Sequence, residues 1–272
     1  MKYRVGEIAS MLGLSISALR FFEDRGLISP TRSAQNGYRL YEPIDLNRFL
    51  RIKTYAQCGF SLEEIAELLR QEDMAMLSEA YHAKADALEK EIDRKRFLLG
   101  YIRDMEGEFL YARRHIGSWA LRPRPAMYCF AFRTHNEIVE DKACHQLISR
   151  WTQWKPFSQS LTLIEQKGTG YEFSHPCYGM LMEEKYAGQF PVEENQYVTR
   201  YPAHPHCAFA VFERKTRGED NLSLWMQRLT ADLRTHGHCP CGDIIGRVMH
   251  TGAENNEDMY YSMEFWIPLE DA

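Results

Sequence analysis

Three groups of residues in this chain could do chemistry, and each would do a different kind. The first lies near the start: Lys2, Arg4, Ser15, Ser17, Arg20, Phe21, Arg32, Asn36, Tyr38 and Arg39. Cations interleaved with short polar side chains and rings suit a polyanion, because arginine and lysine meet phosphates while polar groups bond phosphates or base edges. The second lies near the end. Period-two alternation over Met259–Ile267 would set Tyr260, Ser262, Glu264 and Trp266 on one face of a strand, and Tyr261, Met263, Phe265 and Ile267 on the other. A carboxylate flanked on its own face by a tyrosine and a tryptophan is a plausible cation receptor, the rings offering their faces and the carboxylate the countercharge. The third is His236, His238, Cys239 and Cys241. Two imidazoles and two thiols within six residues could hold zinc or copper, and incidental side chains in a loop would read the same way.

The elements that must position the first group are legible at short range. Val5, Ile8, Ala9 and Leu12 recur at helical spacing until Gly13 breaks the pattern. Ser15 is a good N-cap for a second helix over about Ile16 to Glu23, so the pair forms a helix–turn–helix whose second member would enter a DNA major groove. Asn36 and Gly37 both tolerate positive φ and predict a type I′ hairpin with Tyr38–Tyr41 as its returning strand, a small wing. Pro43 to Gly59 reads as a third helix with Pro43 in its first turn. Ser61-Leu62-Glu63-Glu64 is a capping box that starts a fourth, ending near Arg70. From Met1 to Phe60, nine lysines and arginines face five acidic residues, although the whole chain carries −5. Phosphate affinity needs only that local basic face.

From about Leu77 to Arg114 the chain lacks proline and is rich in helix formers. Heptad positions fall on Tyr81, Leu88, Lys95, Ile102 and Phe109, and on Ala85, Ile92, Leu99 and Glu106. A helix on the order of 50 Å long cannot bury such a stripe within a small domain, so it is expected to pair with a second copy, Lys95 and Glu106 setting register at some cost in stability. Ile116 to Pro125 reads as a linker. Beyond it the order β-α-β-β occurs twice: Ala126–Arg133, Val139–Trp151, Leu161–Gln166 and Tyr178–Tyr186, then His206–Glu213, Asn221–His236, Asp243–His250 and Met259–Ile267.

Arg20, Glu23, Gly26-Leu27, Pro30, Arg32 and Gly37-Tyr38-Arg39-Leu40-Tyr41, at these spacings, closely resemble the N-terminal domain of the MerR family of transcription regulators. The likeness runs from about Tyr3 to Arg70. Phe21-Phe22 departs from it where the family usually shows tyrosines, which removes any phosphate bond from those hydroxyls. The resemblance implies a homodimer held by an antiparallel helix pair and reading a palindromic site between the −35 and −10 elements of an overlong promoter spacer. On activation the dimer bends and untwists the DNA, so that RNA polymerase contacts both elements. It also makes Arg48, Arg51 and Lys53 minor phosphate candidates.

The repeated β-α-β-β order, Phe209-Ala210-Val211-Phe212 ahead of a helix with Leu222, Trp225 and Leu229, and the ending Glu264-Phe265-Trp266-Ile267-Pro268-Leu269 resemble the GyrI-like effector-binding domain. In drug-sensing domains of that kind a glutamate on the last strand occupies the pocket centre, a role that carries over to Glu264. Tyr128, Trp151, Trp154, Tyr178, Met180, Met182, Tyr186 and Trp225 would line the same cleft or pack in the core. Metal-sensing MerR proteins keep their ligand cysteines beside the coiled coil and in a short C-terminal loop, and lack a large effector domain. Some GyrI-like domains act hydrolytically, a role in which Glu264 would be a base. No phosphate-binding glycine loop, nucleophile elbow or HExxH is present.

The expectation is an α+β protein: an all-α winged helix–turn–helix over 1–75, a coiled-coil helix over 76–116 and an effector domain over 117–272. Its partners would be promoter DNA, RNA polymerase, a lipophilic or cationic effector and a second copy of itself, with no cofactor and no membrane. A metal-responsive regulator or a hydrolase-like domain on a DNA-binding head are the alternatives. No apolar leader is legible, so a cytoplasmic protein with all seven cysteines reduced is expected.

Overall fold

A computed structural model describes residues 2–34, 37–71, 73–134, 137–214, 222–253 and 259–270. The chain divides into two compact units, Met1–Phe97 and Leu98–Ala272. The division falls within the long helix.

The first unit runs β1 (Tyr3–Arg4), α1 (Val5–Leu12), α2 (Ile16–Asp24), β2 (Thr31–Arg32), β3 (Arg39–Tyr41), α3 (Pro43–Gln57), α4 (Leu62–Leu68) and the first part of α5 (Met74–Arg114). Gly13 ends α1 at φ 63°, a left-handed conformation that glycine adopts without a Cβ clash. The Ala18 amide donates to the Ser15 hydroxyl at 3.1 Å, which satisfies one of the open amides at the start of α2. Ser61 and Glu64 make the expected reciprocal cap on α4. Ile8, Leu12, Leu19, Tyr41, Phe49, Ile52 and Ile65 form a buried core beneath these helices.

The unit is not all-α, because β1, β3 and β2 form a small antiparallel sheet in that order. The wing also has a longer loop than expected. Thr31 pairs with Leu40 and Arg32 with Arg39, and the Ser33 amide donates to the Tyr38 carbonyl. That register leaves four residues, 34–37, in the loop, where Asn36-Gly37 alone would have left two. Gly37 has φ 70°; Asn36 lies outside the described residues.

The second unit holds the end of α5, then β4 (Trp119–Leu121), β5 (Met127–Thr134), β6 (Glu137–Ile138), α6 (Lys142–Gln153), β7 (Gln159–Ile164), β8 (Gln166–Lys167), β9 (Gly170–Tyr171), β10 (Cys177–Glu183), α7 (Glu184–Ala187), β11 (Val198–Tyr201), β12 (Cys207–Arg214), α8 (Leu222–Thr235), β13 (Ile244–Ala253) and β14 (Met259–Pro268). The large antiparallel sheet has the order β11-β5-β10-β7-β13-β14-β12-β4, with β6 on β5. Its centre reads first-third-second strand of one repeat, then second-third-first of the other. The duplicated β-α-β-β order thus becomes a pseudo-symmetric sheet joined at β7 and β13.

Alternation divides the side chains between two faces. On one, Ala208, Ala210, Phe212, Phe265 and Ile267 pack with Met226, Leu229 and Leu233 of α8. Phe130 meets Trp151 of α6 on the same face, with ring centroids 5.6 Å apart. On the other, Cys129, Leu161, Leu181, Phe209, Ile245 and Trp266 cluster with Tyr111 and Ala112 at the end of α5. Among the strands that escaped sequence reading are β4, inside the proline-rich linker, and β11, a short strand on the edge beside β5. Among the described residues no single helix is long and apolar enough to cross a membrane.

Candidate nucleic-acid interface and candidate ligand site

The first group is built by α1, α2 and the wing. Arg4, Arg20, Tyr38 and Arg39 line one cleft of about 620 Å³. Ser15, Ser17, Arg20 and Phe21 are exposed along α2, whose opposite side buries Leu19. Neither Arg20 nor Arg32 makes an ion pair among the described residues, and both are exposed. Lys2 lies 3.4 Å from the Glu42 carboxylate. Phe21 keeps its ring against Arg25, whose guanidinium carbon is 5.2 Å from the centroid, and Phe22 turns inward towards Phe49. Lys53 donates to the Leu12 carbonyl at 3.3 Å, while Arg48 and Arg51 are exposed.

Arg39, which lines the same cleft, also has a partner within the unit. Its Nε donates to Glu23 at 2.6 Å, and the Tyr41 hydroxyl donates to the other oxygen of the same carboxylate. Glu23 has only 8% of its side chain exposed. Arg39 therefore fastens the wing to α2. Burial, and then the Glu23 hydrogen bond, hold the Tyr41 hydroxyl pKa well above the usual tyrosine range.

In the second unit Glu264 is fully buried, and its own fold has given it a partner. The Nε of Arg247, on the neighbouring strand β13, donates to Glu264 at 2.5 Å, and the Nη2 of Arg247 meets the same oxygen. Nη1 of Arg247 donates to Glu183 on β10 at 2.8 Å and to the Gln159 side-chain carbonyl on β7 at 2.9 Å. Glu108 of α5 lies 3.6 Å from Nη2 and is itself held by both terminal nitrogens of Arg122, at 2.8 and 2.6 Å. The Arg247 guanidinium carbon sits 5.3 Å from the Trp266 ring centroid. Burial pushes the Glu264 carboxyl pKa up to about 7; Arg247 opposes this, and the negative charge of Glu108 adds to it. Burial would pull Arg247 down, but Glu264, Glu183 and Glu108 outweigh it and keep the guanidinium charged.

A cleft of about 610 Å³ adjoins this cluster, lined by Tyr101, Met105 and Phe109 of α5, Lys155, Gln159 and Met249, among others. Gln159 belongs to both: its amide nitrogen donates to the Tyr101 hydroxyl at 2.8 Å. Of the residues expected around Glu264, the structure brings in Trp266, and it sets Tyr186 nearby, with its ring centroid 5.4 Å from Tyr101 and its hydroxyl donating to Asp104. Alternation sends Tyr128, Met180 and Met182 to the opposite face, where Trp151 packs on Phe130, and Trp225 lies between Phe212 and Phe265. Trp154 packs between Trp151 and Phe190 with tilted rings, and Tyr178 lies beneath Arg133, 4.6 Å from its guanidinium carbon. The Tyr260 side chain lies outside the described residues. Arg247, Glu183, Glu108 and Gln159 were not singled out from sequence. The one local signal was an arginine on the inward parity of an apolar strand, two residues after Ile245 and two before Met249.

The third group does not converge. His236 bonds Asp232, both imidazoles meet the Trp119 ring edge-on, and Cys239 is exposed. Among the described residues no group of three or more His, Cys, Asp or Glu side chains could hold a metal ion.

Residues 3–72 match the family described as MerR HTH family regulatory protein. The HTH-type transcriptional regulator CueR of Escherichia coli O157:H7 is 38% identical over 65 residues, which are 24% of this chain and 48% of that protein. The HTH-type transcriptional activator mta of Bacillus subtilis is 39% identical over 69 residues, 25% of this chain and 27% of that protein. The chain thus spans about half the length, or less, of these curated relatives. A MerR-family transcriptional regulator structure from Bacillus cereus is 27% identical, with a TM-score of 0.37, covering 40% of this chain and 84% of that one. The EcmrR–DNA complex is 17% identical, with a TM-score of 0.37, covering 99% of this chain and 100% of that one. The match takes in α1, α2, the wing and the two helices after it, so residues 3–72 are similar to the MerR helix–turn–helix family.

Proposed function

We propose that the protein is a one-component transcription regulator. The N-terminal unit holds promoter DNA, the long helix pairs two copies, and the C-terminal unit senses an apolar small molecule. The observation that carries this reading is the cleft in which Arg4 and Arg20 stand exposed beside the wing's Tyr38, with Arg20 and Arg32 making no ion pair among the described residues. Cations left open on a face framed by a capped helix and a wing are suited to phosphate, and release of counterions would make binding steeply salt-dependent. Arg20 on α2 and Arg32 on the wing are the leading DNA contacts, with Lys2, Arg4, Ser15, Ser17 and Tyr38 around them, and Arg39 acting through the wing's position. Bending and untwisting of a promoter spacer, with RNA polymerase as the second partner, are supported by the likeness of residues 3–72 to the MerR family.

Pairing of the copies rests on the apolar side chains that α5 leaves exposed: Leu88, Ile92, Leu99, Ile102 and Phe109. They fall on the heptad positions of one helix, and the antiparallel pairing of the family would cover them. The effector would lodge in the cleft over Tyr101, Met105 and Met249. The test uses the full chain. Fluorescence anisotropy against DNA from its own upstream region, across a salt series, should give a steep slope for the wild type and one about one unit shallower for Arg32→Ala. Light scattering should show monomers for the Leu99→Asp, Ile102→Asp variant. Salt-independent DNA binding, or a variant that stays dimeric, would refute the corresponding part.

A further inference from the structure

We propose that Arg247 is a built-in occupant of the cation subsite in the C-terminal unit, and that it restricts the adjoining cleft to apolar ligands that carry no positive charge. The inference rests on reading this unit as a sensor, and it narrows what is sensed. Each component that would recognise a ligand cation already faces Arg247, although Glu264 Oε2 keeps no hydrogen-bond partner among the described residues. Glu264, the carboxylate at the centre of the sheet face, is bonded by Arg247 Nε. The ring of Trp266, which would offer its face to a cation, has the Arg247 guanidinium over it. Glu183 and Glu108, the next carboxylates, also face the same group.

The charges inside decide the selectivity. Arg247 is 1% exposed, and its three carboxylate partners come from both repeats and from α5. Arg122 and Lys185 take up further negative charge, Arg122 on Glu108 and Lys185 on Glu183 and Asp104. A ligand cation would have to expel a guanidinium or share its carboxylates with it. The first leaves a buried charge without its partners and the second brings like charges together, and each opposes binding strongly. An uncharged apolar ligand meets no such barrier. It can lie on Tyr101, Met105 and Met249 and accept or donate at Gln159, which reports directly on Arg247. Arg247 is therefore a specificity-determining residue: without it the carboxylates would face an empty space of guanidinium shape.

The experiment titrates full-length wild type, Arg247→Ala and Arg247→Ala/Glu264→Gln with phenylguanidinium, an aromatic cation, and with Nile red, an uncharged flat dye. The wild type should take Nile red and show no saturable phenylguanidinium binding. Arg247→Ala should bind phenylguanidinium roughly 100-fold more tightly than wild type, and the double variant should lose most of that gain. Should Arg247→Ala be unfolded alone, phenylguanidinium should restore its far-ultraviolet circular dichroism, and no recovery at saturating ligand would overturn the proposal. So would saturable phenylguanidinium binding by the wild type that Glu264→Gln abolishes, or a folded Arg247→Ala with no gain. If the wild type takes neither probe while Arg247→Ala gains the cation, the subsite assignment stands and the sensor reading falls.

Discussion

In the N-terminal unit Arg20 stands exposed on α2 with no ion pair among the described residues, whereas in the C-terminal unit Arg247 is enclosed by Glu264, Glu183, Glu108 and the side-chain carbonyl of Gln159. One side chain type thus serves two opposite ends. An open guanidinium keeps its hydration and costs the fold little, so its charge remains free for a polyanion. A closed one is committed to its own protein, and its removal leaves carboxylates buried without a partner. Arg39 stands between them, half-buried and held by Glu23. A guanidinium is all that the three share in sequence terms; whether a carboxylate reaches it is what separates them.

The largest expected effect tests the closed end. Arg247→Ala should destabilise the protein by about 3–5 kcal/mol in chemical unfolding, since the buried Glu264 and Glu183 and the partly buried Glu108 lose their common counterion. Arg20→Ala should change stability by no more than about 0.5 kcal/mol. If the two variants unfold alike, the contrast between open and enclosed arginines is wrong.

The pH dependence sharpens the same contrast. The Glu264 carboxyl sits at about 7 in the folded protein against an ordinary value of 4.5. A raised carboxyl means that the folded state holds its proton more tightly than the unfolded state. The stabilisation is therefore fully present below about pH 4.5 and lost as pH rises through 7. Between pH 8 and pH 5.5 this group should add on the order of 2 kcal/mol to stability. Glu264→Gln should flatten that part of the curve, and an unchanged curve in the variant would assign the titration elsewhere.

At the open end, Arg20→Ala should weaken promoter DNA binding by roughly tenfold, about 1.4 kcal/mol, measured by anisotropy at fixed salt. Arg39→Ala, by contrast, should leave the salt slope unchanged, because its charge is already met by Glu23. A slope that flattens for Arg39→Ala alone would mean that DNA displaces the Glu23 contact.

The smallest effect concerns Thr162, whose hydroxyl is buried with no hydrogen-bond partner among the described residues. Thr162→Val keeps the shape and removes the unmet polar group, so stability should stay level or rise by up to about 1 kcal/mol. A clear loss would show that the hydroxyl bonds a group such as an enclosed water.

The sequence by itself determined what local chemistry can decide. Gly13, Ser15, Pro43 and Ser61 mark where helices start and stop, because caps and φ preferences act within one turn. The twofold β-α-β-β order and the alternation along β14 were legible for the same reason: each depends on residues a few positions apart. Tertiary structure alone decided what those elements meet. The wing loop took four residues where Asn36-Gly37 suggested two, since pairing of Arg32 with Arg39 set the register. The linker hid a strand, β4, that forms only because β12 offers an edge. Glu264 was recognisable as a buried carboxylate flanked by Trp266, but its cation comes from β13, and Glu183 and Glu108 come from positions 81 and 156 residues earlier in the chain. No periodicity records that convergence. It arises when the sheet brings β10, β7, β13 and β14 side by side and the end of α5 lies on the face they share, and only there do five side chains without a common local pattern become one site.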